Sequence, residues 1–132
     1  MTIVVGYIPR PEGLAAVDAA IIEAERRSER LVVVNTGHHG DNTDPSYAAP
    51  QDLDALDGQL TERGIEHEIR QPNRGLAPAD ELLAAAAEAD ATLIVIGLRR
   101  RSPLGHLITG STAQQVLLDA TCDVLAVKVP GV

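Results

Sequence analysis

A chain of 132 residues is long enough to bury a core and reads as one domain, residues 1–132. With two tyrosines and no Phe or Trp, that core must be built from aliphatic residues and alanine. A formal net charge of −8 speaks against a general nucleic-acid binder, because tracking a phosphate backbone needs a net positive surface.

Thr2 to Tyr7 reads as the first strand, which leaves no room ahead of it for a signal peptide. No apolar run approaches membrane-spanning length, so the expected compartment is the cytoplasm, with no membrane partner. Ile8-Pro9-Arg10-Pro11 breaks the strand, since proline fixes φ and removes a donor. A helix follows from Glu12 and Gly13, with Leu14, Val17, Ile21 and Ala24 predicted on its apolar face. Leu31 to Asn35 is a second strand, apolar throughout rather than alternating, as in a parallel sheet covered on both faces. Thr36 to Pro50 has turn chemistry and no period, and its length suits a lid or a mobile loop.

Gln51 to Arg63 carries Leu53, Leu56 and Leu60 at helical spacing and stops at Gly64. Ile65 to Ile69 alternates, which predicts an edge strand with one wet face. After a turn at Gln71–Gly75, Ala79 to Ala89 reads as an alanine-rich helix with Leu82 and Leu83 inward. Ala91 to Gly97 is the central strand. The segment from Leu98 to Gly110 is a Gly-containing loop with three arginines. A helix carrying Ala113, Val116, Leu117 and Ala120 follows, then a last strand from Val124 to Val129. Cys122 lies between them and reads as a buried, inert thiol.

Alternating strands and helices predict an α/β fold: an open, doubly wound, five-stranded parallel sheet with helices on both faces. If its order is 3-2-1-4-5, the winding reverses between the first and fourth strands, where such folds bind ligands. The crevice would then be walled by Ile8–Pro11 and by Leu98–Gly110. Gly110-Ser111-Thr112 stands where the fourth helix begins. There, hydroxyls and bare amides can either cap the helix or hold a small anionic ligand. Arg99, Arg100 and Arg101 add guanidinium donors that match phosphate oxygens.

The segment from Val95 to Lys128 resembles the C-terminal half of the universal stress protein family. In its nucleotide-binding branch, a glycine is followed by two residues, a second glycine, nine residues, and a third glycine before Ser or Thr. Gly97 and Gly110-Ser111 keep that spacing, while Arg100 replaces the second glycine. Cys122-Asp123-Val124-Leu125-Ala126-Val127-Lys128 is similar to the family's last strand, and the first strand, first helix and Leu31–Asn35 fit its N-terminal half. The resemblance implies the sheet order 3-2-1-4-5, an adenine nucleotide alpha hydrolase-like arrangement. It implies ATP or AMP as ligand, with Mg possible beside ATP, and a homodimer joined through Val124 to Val129. The family's ATP binders end the first strand in an aspartate; this chain has Ile8.

Two functions remain open. In one, the chain is a stress-response regulator binding an adenine nucleotide or related phosphate ligand through Val34, Gly97, Arg99, Arg100, Gly110, Ser111 and Thr112. Val33 is expected beside Val34 near the base. In the other, it is an interaction protein of the same fold, with Ile8 and Arg100 in place of motif residues. An enzyme is not expected, at most a very slow ATPase, because neither a phosphate-loop lysine motif nor a catalytic triad is legible. His38, His39, Asp41 and Asp44 have metal-capable side chains, but their spacing fixes no common face, and a solvated loop is expected.

Overall fold

The computed structural model describes residues 1–36, 47–73, 75–98 and 110–129. The expected loop at 37–50 therefore lies outside the described residues as far as position 46, together with its histidines. The elements run β1 Thr2–Tyr7, α1 Pro11–Arg27, β2 Arg30–Asn35, α2 Pro50–Glu62, β3 His67–Arg70, α3 Pro78–Ala89, β4 Ala91–Gly97, α4 Ser111–Asp119 and β5 Asp123–Val127. All strand pairings are parallel, and the order is β3-β2-β1-β4-β5, the one that the family resemblance implies. The chain thus winds outward from β1 to β3, then crosses back to β4 and β5. The reversal falls between β1 and β4.

Strand periodicity divides the core between two faces. Ile3, Val5 and Tyr7 of β1 pack with Val17 and Ile21 of α1 and with Leu56 and Leu60 of α2. Val4, Val32 and Ile94 face the other way, onto Leu82 and Ala85 of α3 and Val116 of α4. Both faces of the central strands are covered, which is why those strands read as unbroken apolar runs.

Some positions differ from the sequence reading. The buried stripe of α1 is Gly13, Ala16, Val17, Ala20, Ile21 and Ala24, and Leu14 is 53% exposed. Leu14 lies roughly 90° from the centre of that stripe at 100° per residue. Leu117, expected in the apolar stripe of α4, is likewise exposed; Ala113 and Val116 are buried. Strand β3 begins at His67 rather than Ile65. The Ile65 amide donates to Leu60 O at 3.1 Å and the Gly64 amide to Thr61 O at 3.0 Å, so both are spent on ending α2. Gly64 has φ +69°, the left-handed turn that stops a helix.

The two edges contrast. On β3, Arg70 pairs with Glu68 at 2.9 Å and with Glu88 at 2.9 Å, and Arg30 reaches Glu68 at 3.6 Å. Charges of this kind discourage pairing with another strand. On β5, Val124, Leu125, Ala126 and Val127 are only half-buried.

Candidate anion-binding site

The β1–β4 ladder stops at Val5↔Val95, before either strand ends. Beyond that pair the strands part, and a pocket of about 310 Å³ opens at the carboxyl end of the sheet. That volume is near the small end of the ligand-site range, roughly 300–1,000 Å³. Gly6 and Ile8 come from the end of β1, Ile96 and Gly97 from the end of β4, and Thr36 follows β2. The remaining walls are the first turns of α1 (Glu12, Gly13), α3 (Ala77, Pro78, Ala79) and α4 (Gly110 to Ala113).

Three helix N-termini therefore converge on one cavity, and in none does the N-cap residue's own side chain make a cap hydrogen bond. The N-cap residues are Arg10, Ala77 and Gly110. Away from the pocket, the N-cap residue of α2, Ala49, makes no side-chain cap bond either, although the Asp52 carboxylate accepts the Ala49 amide at 3.1 Å. Uncapped N-termini carry a partial positive charge and free N–H donors, both suited to an anion. Pro11 and Pro78 remove one donor each from α1 and α3, and these helices also carry acids in their first turns. Helix α4 has neither proline nor acid there. Its first turn thus keeps the most amide donors and the least negative charge of the three. Of the two sequence readings of Gly110-Ser111-Thr112, helix cap or anion site, the side-chain cap is not made, because the N-cap is Gly110, which has no side chain to use.

Three glycines make this geometry possible. A Cβ on Gly97 would lie 2.0 Å from the Glu12 carbonyl oxygen, and one on Gly13 would lie 2.0 Å from the Ile8 carbonyl oxygen. The first turn of α1 is thus pressed backbone-to-backbone against both β4 and the turn after β1. The Arg10 amide donates to Ile8 O at 2.8 Å, closing that turn around Pro9. Gly110 has φ 58° and ψ 160°, a region essentially closed to other residues.

Of the residues singled out from the sequence, Gly97, Gly110, Ser111 and Thr112 come together on this pocket. Val34 does not line it. Val34 pairs with Gly6 inside the ladder, is 1% exposed, and lines a separate groove with Arg70, Gln71 and Glu81. Val33 is fully buried on the opposite face of the sheet. Arg99, Arg100 and Arg101, with Gly105 and His106, lie outside the described residues.

Thr36, Glu12 and Gln115 were not singled out. Thr36 reaches the pocket because β2 is followed one residue past its last pair, Tyr7↔Asn35. Gln115 stands one helical turn from Ser111, a spacing that could have flagged it, and its Nε2 donates to Asp80 Oδ1 at 2.8 Å, tying α4 to α3. Glu12 is the sole carboxylate among the described lining residues, and none of them is basic.

Elsewhere the chemistry is quiet. Burial, and then the Asp52 charge, push the Tyr7 phenol up, so it stays protonated. Burial and Asp123 raise the Cys122 thiol, which keeps it unreactive, although Cys122 is half-buried rather than fully buried. Among the described residues, no group of His, Cys, Asp and Glu could hold a metal, and no helix is long and apolar enough to cross a membrane.

Residues 1–128 match the model of the universal stress protein family. A universal stress protein from Mycolicibacterium smegmatis is 43% identical over 129 residues, covering 98% of each chain. Among solved structures, a universal stress protein from Archaeoglobus fulgidus superposes with TM-score 0.77 at 34% identity, covering 97% of this chain and 98% of that one. A structure of the Archaeoglobus fulgidus universal stress protein in complex with dAMP gives TM-score 0.64 at 28% identity over 97% and 98%.

Proposed function

Since this chain belongs to the universal stress protein family, we propose that it binds an adenine nucleotide, or a related phosphate ligand, in the crevice between β1 and β4. One observation carries the reading: three uncapped helix N-termini surround one pocket, and the most donor-rich of them, α4, begins at Gly110-Ser111-Thr112. The dAMP held by the Archaeoglobus fulgidus relative supports it. In this reading the α4 amides and the Ser111 and Thr112 hydroxyls take the phosphate. Arg99 or Arg100 adds charge. The apolar lining residues Ile8, Leu82 and Ile96 receive the base, and Glu12 supplies an acceptor for ligand hydroxyl or amino groups.

The protein is then a cytoplasmic, dimeric regulator of the stress response, with subunits joined along β5, whose apolar edge contrasts with the charged edge of β3. Hydrolysis of ATP is at most very slow. With ATP as ligand, a magnesium ion would be held chiefly by the nucleotide, since Glu12 is the one carboxylate among the described lining residues.

Ile8 favours a second reading. It places an alkyl side chain on the pocket wall where the family's ATP binders have a carboxylate, which suits an interaction protein whose crevice holds no nucleotide. Equilibrium dialysis of denatured, stripped and refolded protein against AMP and against ATP with Mg²⁺ separates the two. Saturable retention of either ligand supports the first reading. No retention by protein shown to be folded supports the second.

A further inference from the structure

The polar cluster beside the pocket centres on Asn35, the last residue of β2, which is 0% exposed. Its Nδ2 donates to the carbonyl of Tyr7 at 2.9 Å, and its Oδ1 accepts from the Ala48 amide at 2.9 Å and from Gln71 Nε2 at 2.8 Å. Gln71 Nε2 also reaches Ala48 O at 2.9 Å. Donor and acceptor ends of the amide are thus fixed by their partners, and a flip would set N–H against N–H and oxygen against oxygen.

The position of this cluster matters more than its strength. Tyr7 and Asn35 are the last register pair of β1 and β2. The very next residue on each strand, Ile8 and Thr36, lines the pocket. Where the backbone ladder ends and the chains part, the Asn35 side chain continues the pairing by holding the Tyr7 carbonyl. The same side chain gathers Ala48 and the end of β3 to this point. Buried amides with both ends satisfied hold one arrangement because every alternative leaves a polar group unpaired.

We propose that Asn35 is a positioning residue of the pocket: it sets where Ile8 and Thr36 stand, and through them the affinity for the ligand, without touching the ligand itself. The ligand part of this proposal rests on the nucleotide reading above. The positioning part does not, and the two are separable by experiment.

The test uses the full chain with Asn35→Ala, and Leu56→Ala as a comparison. Leu56 of α2 is buried on the core side and is not among the lining residues of the crevice, so its truncation lowers stability without touching the crevice. AMP binding is measured well below the melting temperature of every variant. Asn35→Ala, which removes the bonds to Tyr7, Ala48 and Gln71 together, is expected to weaken AMP binding roughly five- to tenfold or more, because the affinity feels only the resulting shift of Ile8 and Thr36. Leu56→Ala is expected to leave the affinity unchanged. Equal affinities in both variants, or equal losses, would overturn the proposal.

If Asn35→Ala fails to fold, the wild-type side-chain amide resonance of Asn35 serves instead. It should shift as AMP saturates the protein, together with the Thr36 backbone amide; a Thr36 shift with Asn35 unmoved would overturn the idea. Should the wild type bind no nucleotide, ligand-free spectra of Asn35→Ala still decide the positioning part. Movement of the Ile8 resonances, distant in sequence from the substitution, upholds it, and unmoved Ile8 resonances refute it.

Discussion

Replacing Gly97 by alanine separates packing from ligand contact at the motif's first glycine. The added Cβ would sit 2.0 Å from the oxygen and 2.6 Å from the carbon of the Glu12 carbonyl. Both are backbone atoms of the first turn of α1, so no side chain can swing away to relieve the clash. A tolerable carbon–oxygen contact needs at least about 1 Å more separation than this, and the displacement must be taken by α1 or β4. Helix α1 cannot slide freely, because Gly13 is pressed against Ile8 O in the same manner and Ala16, Val17 and Ala20 are buried on the sheet. Overpacking at such a site costs about 2–3 kcal/mol. For a domain of this size that lowers the melting temperature by roughly 6–15 °C. Urea unfolding and calorimetric melting of wild type and Gly97→Ala give both numbers. A variant within about 0.5 kcal/mol of wild type would refute the reasoning, and would mean that Gly97 is needed for the ligand alone.

Other outcomes follow from single features. Gly110→Ala should cost about 1–3 kcal/mol, because φ 58° with ψ 160° is strained for any side chain; an unchanged urea midpoint would contradict this. The His67 ring donates from Nδ1 to Ile65 O at 2.7 Å and from Nε2 to Asp57 Oδ1 at 2.6 Å, which needs both nitrogens protonated. Burial alone would lower its pKa, but these two hydrogen bonds together raise it above the ordinary 6.5. Its contribution is therefore full below the unfolded value and fades as pH rises through the folded one. The stability advantage of wild type over His67→Gln should shrink from about pH 6 to about pH 8, and a flat difference would remove the clasp between α2 and β3. Sedimentation at micromolar concentration should give twice the 13.9 kDa chain mass, and a monomer would remove the proposed β5 dimer.

Much of the fold was legible because burial on both faces writes itself as unbroken apolar runs. Leu31–Asn35 and Ala91–Gly97 announce a parallel sheet without any structure. Strand β3 was less legible, since Ile65 fits an alternating pattern but its amide is committed to ending α2. The pocket was legible where glycine spacing marked it, at Gly97 and Gly110. It was illegible where it depends on how far a strand continues past its partner. One residue separates Val34, inside the ladder, from Asn35 at its end, and a second separates it from Thr36 in the crevice. Nor does composition reveal that Ser111 lies beyond the N-cap rather than on it. That distinction is set by the φ of Gly110, and it decides whether the α4 amides are satisfied within the chain or open to a ligand.

Titrating AMP calorimetrically into stripped wild-type protein and into Ser111→Pro tests that point most directly. Ser111 is the first residue of α4, the helical position that proline tolerates best, and α1 and α3 already carry proline in their first turns. The substitution leaves the helix intact while removing one amide donor and one hydroxyl from the pocket. Saturable micromolar binding by the wild type, weakened about tenfold or more in a folded Ser111→Pro, is the predicted result. Equal binding by both proteins, or none by a folded wild type, would contradict the account.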